Sequence, residues 1–328
     1  MPLDPQISEI FAAMVKAGRP ALSAGSPNDA RELTKASRAA LGPGPEMAQV
    51  RELKIPTRGG PIGARLFLPS KNVDGLVVYF HGGGWVVGEL DDYDSMARTL
   101  AKRSNCALLM PDYRLAPEHP FPAALEDAQD AILWASQRIE ELAGSKLSFL
   151  VSGDSAGGNL ATVAVRDLGQ RVPVAAQVLI YPVTDSDTGT SSYRSQSEGM
   201  QLTRADMQWF FSHYAPTGSH RDPRISPLRQ TELASMPPTI VITAECDVLR
   251  DEGEAYAQRL SAAGVAVTAR RVEGLPHGFI RLHNLVGAAD DAITAIAADI
   301  ARLCVPTRPE QPRGQIVSSV PTTTRTTP

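Results

Sequence analysis

Short apolar runs alternate with longer amphipathic ones along most of the chain, and this alternation predicts the architecture. Residues 76–80, 107–111, 147–152, 176–181, 239–244 and 265–272 have the length and composition of strands. Residues 91–104, 123–142, 157–170, 251–263 and 286–304 carry helical spacing. Runs such as Val77-Val78-Tyr79-Phe80 and Ile240-Val241-Ile242 are apolar without alternation, as strands covered on both faces must be. The predicted class is α/β, with a mostly parallel central sheet flanked by helices.

Two stretches interrupt the pattern. Residues 1–45 are helical in spacing but broken by Gly18, Pro20, Gly25, Pro27 and Gly42-Pro43-Gly44-Pro45. Residues 184–235 begin polar and turn aromatic at Trp209, Phe210, Phe211 and Tyr214. Insertions of this kind often lie over the carboxyl edge of such a sheet, so both are expected to build a helical cap on a catalytic domain spanning 46–304. Residues 305–328 are rich in Pro, Thr and Arg and are expected to be a disordered tail.

Composition narrows the function classes. A hydrophobic content of 43% fills a large core. The net charge of -4 is spread over interspersed acids and bases, which leaves no basic face for nucleic acid. No stretch is long and apolar enough to suggest a membrane span, and the N-terminus lacks the basic start and apolar run of an export signal, so a cytoplasmic location is expected. Cys106, Cys246 and Cys304 are odd in number and sit in or beside apolar runs, which favours buried, reduced thiols over a disulfide framework or a metal site.

Candidate chemistry starts at Gly153-Asp154-Ser155-Ala156-Gly157, which follows one apolar run and opens a helical one. Between a strand and a helix this string describes a sharp turn that exposes the serine hydroxyl, with glycines permitting close backbone approach. A hydroxyl is a weak nucleophile at neutral pH and needs an imidazole, which in turn needs an orienting carboxylate. Of the 6 histidines, His277 in Leu275-Pro276-His277-Gly278-Phe279 follows a strand and reaches the same edge as Ser155. Asp247 follows the 239–244 strand, and the order Ser155, Asp247, His277 suits this arrangement. Glu245 stays open on position alone; Asp251 with Glu254 reads as a capping box. His81-Gly82-Gly83-Gly84-Trp85 leaves the 76–80 strand, and the N–H groups of Gly83, Gly84 and Ala156 are the expected oxyanion donors. His81 is expected to hold that loop rather than act as a base. Trp85, Asp154 and Trp209 are expected to contact substrate.

Taken together these motifs resemble the hormone-sensitive-lipase-like esterases, the bacterial family IV carboxylesterases of the α/β-hydrolase superfamily. The resemblance extends through the stretch from Asp112 to Ala123, Gly158-Asn159, Asp222-Pro223-Arg224-Ile225-Ser226-Pro227-Leu228 and Asp247-Val248-Leu249-Arg250-Asp251-Glu252-Gly253. Val248 departs from it, since proline is common there. The resemblance implies hydrolysis of short to medium acyl esters without a cofactor, supports Asp247 over Glu245, and implies pairing of two copies through the last strand and helix. An amidase or formamidase on the same machinery, and a ligand-binding homologue without turnover, are the alternatives.

Overall fold

A computed structural model describes residues 2–196 and 200–304. The expected tail at 305–328 lies outside the described residues. Eight strands among these residues form one sheet: β1 (Gln49–Ile55), β2 (Ile62–Leu68), β3 (Gly75–Phe80), β4 (Ala107–Pro111), β5 (Ser148–Asp154), β6 (Ala176–Ile180), β7 (Thr239–Cys246) and β8 (Val267–Pro276). Their order is β1-β2-β4-β3-β5-β6-β7-β8. The pairs β1–β2 and β2–β4 are antiparallel, and every pair from β4 across to β8 is parallel.

Side-chain alternation along β3 explains its uninterrupted apolar sequence. Leu76, Val78 and Phe80 enter one core cluster, while Val77 and Tyr79 enter the other on the opposite face. Helices Ala123–Ser136, Ala156–Leu168 and Arg250–Ala262 cover the first face with residues such as Ile132, Leu160 and Leu260. Helices Leu90–Ser104 and Gly287–Cys304 cover the second with Met96, Leu100, Ile293, Ile296 and Ile300. Each fully buried Leu or Ile contributes about 1.5–3 kcal/mol, so the sheet edges are held by a rigid two-sided core.

Several elements differ from the sequence expectation. The hairpin β1–β2 was not predicted; its residues alternate in burial, and the connecting turn closes with the Gly60 N–H donating to the Thr57 carbonyl at 3.0 Å. The helix expected over 123–142 divides into Ala123–Ser136 and Ile139–Ala143. β8 runs on to Pro276 rather than stopping at Val272, because its pairing with β7 resumes past a bulge as Cys246 opposite Pro276. The Asp251–Glu254 capping box does not form. Asp251 instead accepts the Ser192 N–H at 2.7 Å, and Glu254 pairs with Arg271 at 2.8 Å. All three cysteines are free and buried, with the Sγ atoms of Cys106 and Cys304 3.3 Å apart.

The interrupting segments are helical. In the first, Pro5–Lys16 starts at Asp4, whose carboxylate accepts the Gln6 N–H at 2.8 Å, and Pro27–Ala36 starts in a capping box of Ser26 and Asp29. In the second, Arg204–Tyr214 starts in a capping box of Thr203 and Asp206. Asp206 also accepts the Ser23 N–H at 3.0 Å, joining the two segments. Arg31 ties the first to the core by donating to the Val86 carbonyl at 2.9 Å and the Ala116 carbonyl at 3.0 Å. No described helix is long and apolar enough to cross a membrane.

Candidate active site

Strand register brings the chemical residues to one rim. Phe80 opposite Gly153 sets the glycine run after β3 beside the turn after β5, and Cys246 opposite Pro276 sets Asp247 beside His277. All four segments leave carboxyl ends of parallel strands, where an open α/β sheet places its ligands.

Ser155 sits between β5 and the helix Ala156–Leu168 with φ 54° and ψ -121°, a conformation costly for a residue with a Cβ. The surrounding packing requires the flanking glycines. A Cβ on Gly153 would lie 2.4 Å from the Gly157 carbonyl oxygen, and one on Gly157 would lie 2.0 Å from that of Phe80. The turn is fixed further by the Ser155 N–H donating to the Ile180 carbonyl at 2.9 Å. Asn159, one turn along the helix, donates to the carbonyls of Val183 and Ile225 at 2.9 and 2.8 Å, tying the turn to the second interrupting segment.

The His277 Nε2 lies 2.9 Å from the Ser155 Oγ, and its Nδ1 lies 2.8 Å from the Asp247 carboxylate. A carboxylate only accepts, so Nδ1 carries the proton and Nε2 faces the serine hydroxyl as an acceptor. Asp247 is 1% exposed and also accepts the Leu249 N–H at 2.9 Å, which fixes its orientation. Glu245, the rival carboxylate, instead accepts the Gly274 N–H at 2.8 Å. Tyr181, which the motifs did not single out, sets its ring at a tilt 4.7 Å from the imidazole and edge-on 5.1 Å from Phe279. Its one sequence signal is its place at the carboxyl end of an apolar strand run.

The glycine loop has φ values of 109° at Gly83, 58° at Gly84 and 60° at Trp85. Ala156 opens its helix, so its N–H has no partner within the helix. His81 is fully buried between the rings of Tyr93 and Tyr113, 4.9 and 4.5 Å away, and its Nδ1 lies 2.7 Å from the Gly82 carbonyl. Burial pushes this imidazole down to about 4, so it is neutral at pH 7 and serves the loop.

Of the three residues expected at the substrate, two are buried among protein groups. Trp85 has no exposed surface; its ring stacks on Tyr214 at 4.2 Å and leans on Phe211 at 5.7 Å, so it packs the glycine loop against the second interrupting segment. Asp154 is 3% exposed and accepts both the Tyr79 hydroxyl at 2.9 Å and the Gly82 N–H at 2.8 Å. Burial pushes its carboxyl up to about 6. Trp209 is half-buried with its ring against Phe210 and His213, and Phe210 is the neighbour that meets the loop. A Cβ on Gly84 would lie 2.2 Å from the Phe210 ring. A cavity of about 310 Å³ between Arg31, Lys35, Glu89, Leu115 and His119 includes none of Ser155, Asp247 or His277 in its lining. Among the described residues no group of three or more His, Cys, Asp or Glu is placed to hold a metal ion.

Comparisons place this arrangement among known proteins. Residues 77–281 match a family model described as the alpha/beta hydrolase fold. The chain is 40% identical over 277 residues to a carboxylic ester hydrolase of Mycobacterium tuberculosis, covering 80% of this chain and 73% of that one. It is 35% identical over 311 residues to an ethyl acetate hydrolase of Pseudomonas putida, covering 90% and 98%. Among solved structures, a hyperthermophilic esterase of Pyrobaculum calidifontis superposes with a TM-score of 0.86 at 37% identity, covering 92% of this chain and 99% of that one.

Proposed function

The chain belongs to the hormone-sensitive-lipase-like branch of the α/β-hydrolase family, whose relatives here are carboxylic ester hydrolases, and from that premise we propose how it cleaves an ester. Ser155 Oγ attacks the carbonyl carbon as His277 Nε2 takes its proton, and Asp247 holds the imidazolium that forms. Negative charge on the former carbonyl oxygen is received by the N–H groups of Gly83, Gly84 and Ala156, fixed donors that need no reorganisation. Collapse expels the alcohol, protonated by His277, and leaves an acyl group on Ser155. Water, activated by the same imidazole, releases the acid and restores the serine.

The observation that carries this reading is the series Asp247–His277–Ser155, with contacts of 2.8 and 2.9 Å, at the same rim as the glycine loop. The helical segments are read as a cap, and the substrates as small esters of short to medium acyl chain. Phe210 supports the shorter end of that range, because its ring already occupies space over Gly84. Pairing of two copies would use β8, which stands at an edge of the sheet. Cytoplasmic location belongs to the same proposal.

The test compares p-nitrophenyl butyrate with its matched anilide. The ester should turn over far faster, and Ser155→Ala and His277→Ala should each lose at least about 10⁴-fold in kcat with the fold retained. Full activity in Ser155→Ala would remove the nucleophile assigned here, and faster cleavage of the anilide would make the protein an amidase.

A further inference from the structure

We propose that Asp154 is a positioning residue that locks the two halves of the oxyanion hole to one another; the inference rests on the catalytic reading of Ser155 above. The donors come from two loops. Gly83 and Gly84 follow β3, Ala156 follows β5, and the last residues paired between those strands are Phe80 and Gly153. Beyond that pair β3 ends, while β5 runs one residue further to Asp154, opposite Ile180 of β6. Asp154 bridges the two loops, because the residue immediately before the nucleophile accepts the N–H of the residue immediately before the first donor glycine, at 2.8 Å.

The peptide groups on either side of Gly82 are held on both flanks. The carbonyl of Gly82 is 2.7 Å from His81 Nδ1, and the carbonyl of His81 accepts the Tyr113 hydroxyl at 2.8 Å. The same Asp154 oxygen that takes the Gly82 N–H takes the Tyr79 hydroxyl at 2.9 Å, so the carboxylate is itself anchored to β3. The contact has no slack, since a Cβ on Gly82 would lie 2.5 Å from the second carboxylate oxygen. The unusual backbone angles of Gly83 and Gly84 therefore start from a fixed peptide plane. Asp154 is 3% exposed and its close hydrogen bonds run to protein groups, so it acts through Gly82. Removing the carboxylate leaves a buried N–H and a buried hydroxyl without an acceptor, and the loop re-aims. Donors displaced in this way lose the transition state more than the ground state.

The test uses the full chain with p-nitrophenyl butyrate, with active sites counted by the end-point of a p-nitrophenyl phosphonate ester. Asp154→Ala should lower kcat per counted site by about 10- to 100-fold while KM changes by less than about threefold. The inhibition constant for a trifluoromethyl ketone, whose hemiketal mimics the tetrahedral oxyanion, should rise by the same factor as kcat/KM falls. Asp154→Asn keeps an oxygen able to accept both bonds and should recover most of the loss. Should Asp154→Ala fail to fold, Gly82→Ala, which pushes a methyl into the carboxylate, reaches the same contact and should lower kcat per site likewise. Unchanged kcat per site in these variants, with only stability or the number of sites reduced, would overturn the proposal. Ser155→Ala runs alongside: retained activity there would defeat the catalytic reading and this inference with it, whereas an inactive Ser155→Ala beside a fully active Asp154→Ala defeats this inference alone.

Discussion

The two sides of the site are built by different means. On the sheet side, the atoms that crowd the nucleophile turn are backbone: a Cβ at Gly157 would meet the carbonyl oxygens of Phe80 and His81 at 2.0 and 2.5 Å. On the other side, the neighbour of Gly84 is the ring of Phe210, which sits on the helix Arg204–Tyr214 and packs edge-on against Trp209 at 5.2 Å. Backbone in a paired sheet cannot yield, while a ring on a helix can turn or be trimmed. The sheet side thus holds the nucleophile turn rigidly, whereas side chains on the helix Arg204–Tyr214 can change without disturbing it.

The sharpest way to break this contrast is to add a methyl on each side. Gly157→Ala should abolish activity or folding, and adding Phe210→Ala should not restore it. Gly84→Ala carries the cost of φ 58° and the clash with Phe210, and should lose about 10²- to 10³-fold in kcat/KM by displacing an oxyanion donor. Phe210→Ala in that background should return about tenfold of it by relieving the clash, leaving the backbone cost. Equal rescue of both variants, read by kcat/KM on p-nitrophenyl butyrate, would erase the distinction.

A smaller effect tests the buried polar layer beneath the glycine loop. Asp154 has its folded-state value raised from 3.8 to about 6 by burial, so its contribution to stability is full below 3.8 and is lost as pH rises through about 6. His81 has its value lowered from 6.5 to about 4 by burial, so its contribution is full above 6.5 and is lost as pH falls toward about 4. Between about 4 and 6 the two slopes oppose each other. Asp154→Asn removes one of them. The variant's stability relative to the parent, taken from urea midpoints, should rise with pH across that window and level off above it; a constant difference would contradict the assignment.

What the sequence made legible follows from the same contrast. Ser155, Asp247 and His277 stand in motifs whose constraints are local: a turn needing flanking glycines, and strand ends needing a short exit. Five of the expected strands, β3 to β7, are covered on both faces and largely apolar, whereas β1, β2 and the edge strand β8 are partly exposed, and of these only β8 was expected. The packing of Trp85 and Asp154 was not legible because their partners, Tyr214, Tyr79 and Gly82, are distant in sequence or turned inward by the fold. The spacing of Asp251 and Glu254 suits a capping box, yet Ser192 and Arg271 are the partners tertiary structure supplies. Tyr181 ends an apolar run in the sequence, but its place beside His277 follows only from the pairing of β6 between β5 and β7.

The claim on which the account depends is that the Ser155 hydroxyl is activated by His277. A p-nitrophenyl phosphonate ester, followed by peptide mapping, tests it directly, since the phosphonyl group stays on the oxygen that attacks. One adduct per chain should form on Ser155, at least about 10³-fold more slowly in His277→Ala, and none in Ser155→Ala. An adduct on another residue, or labelling that proceeds undiminished in either variant, would contradict it.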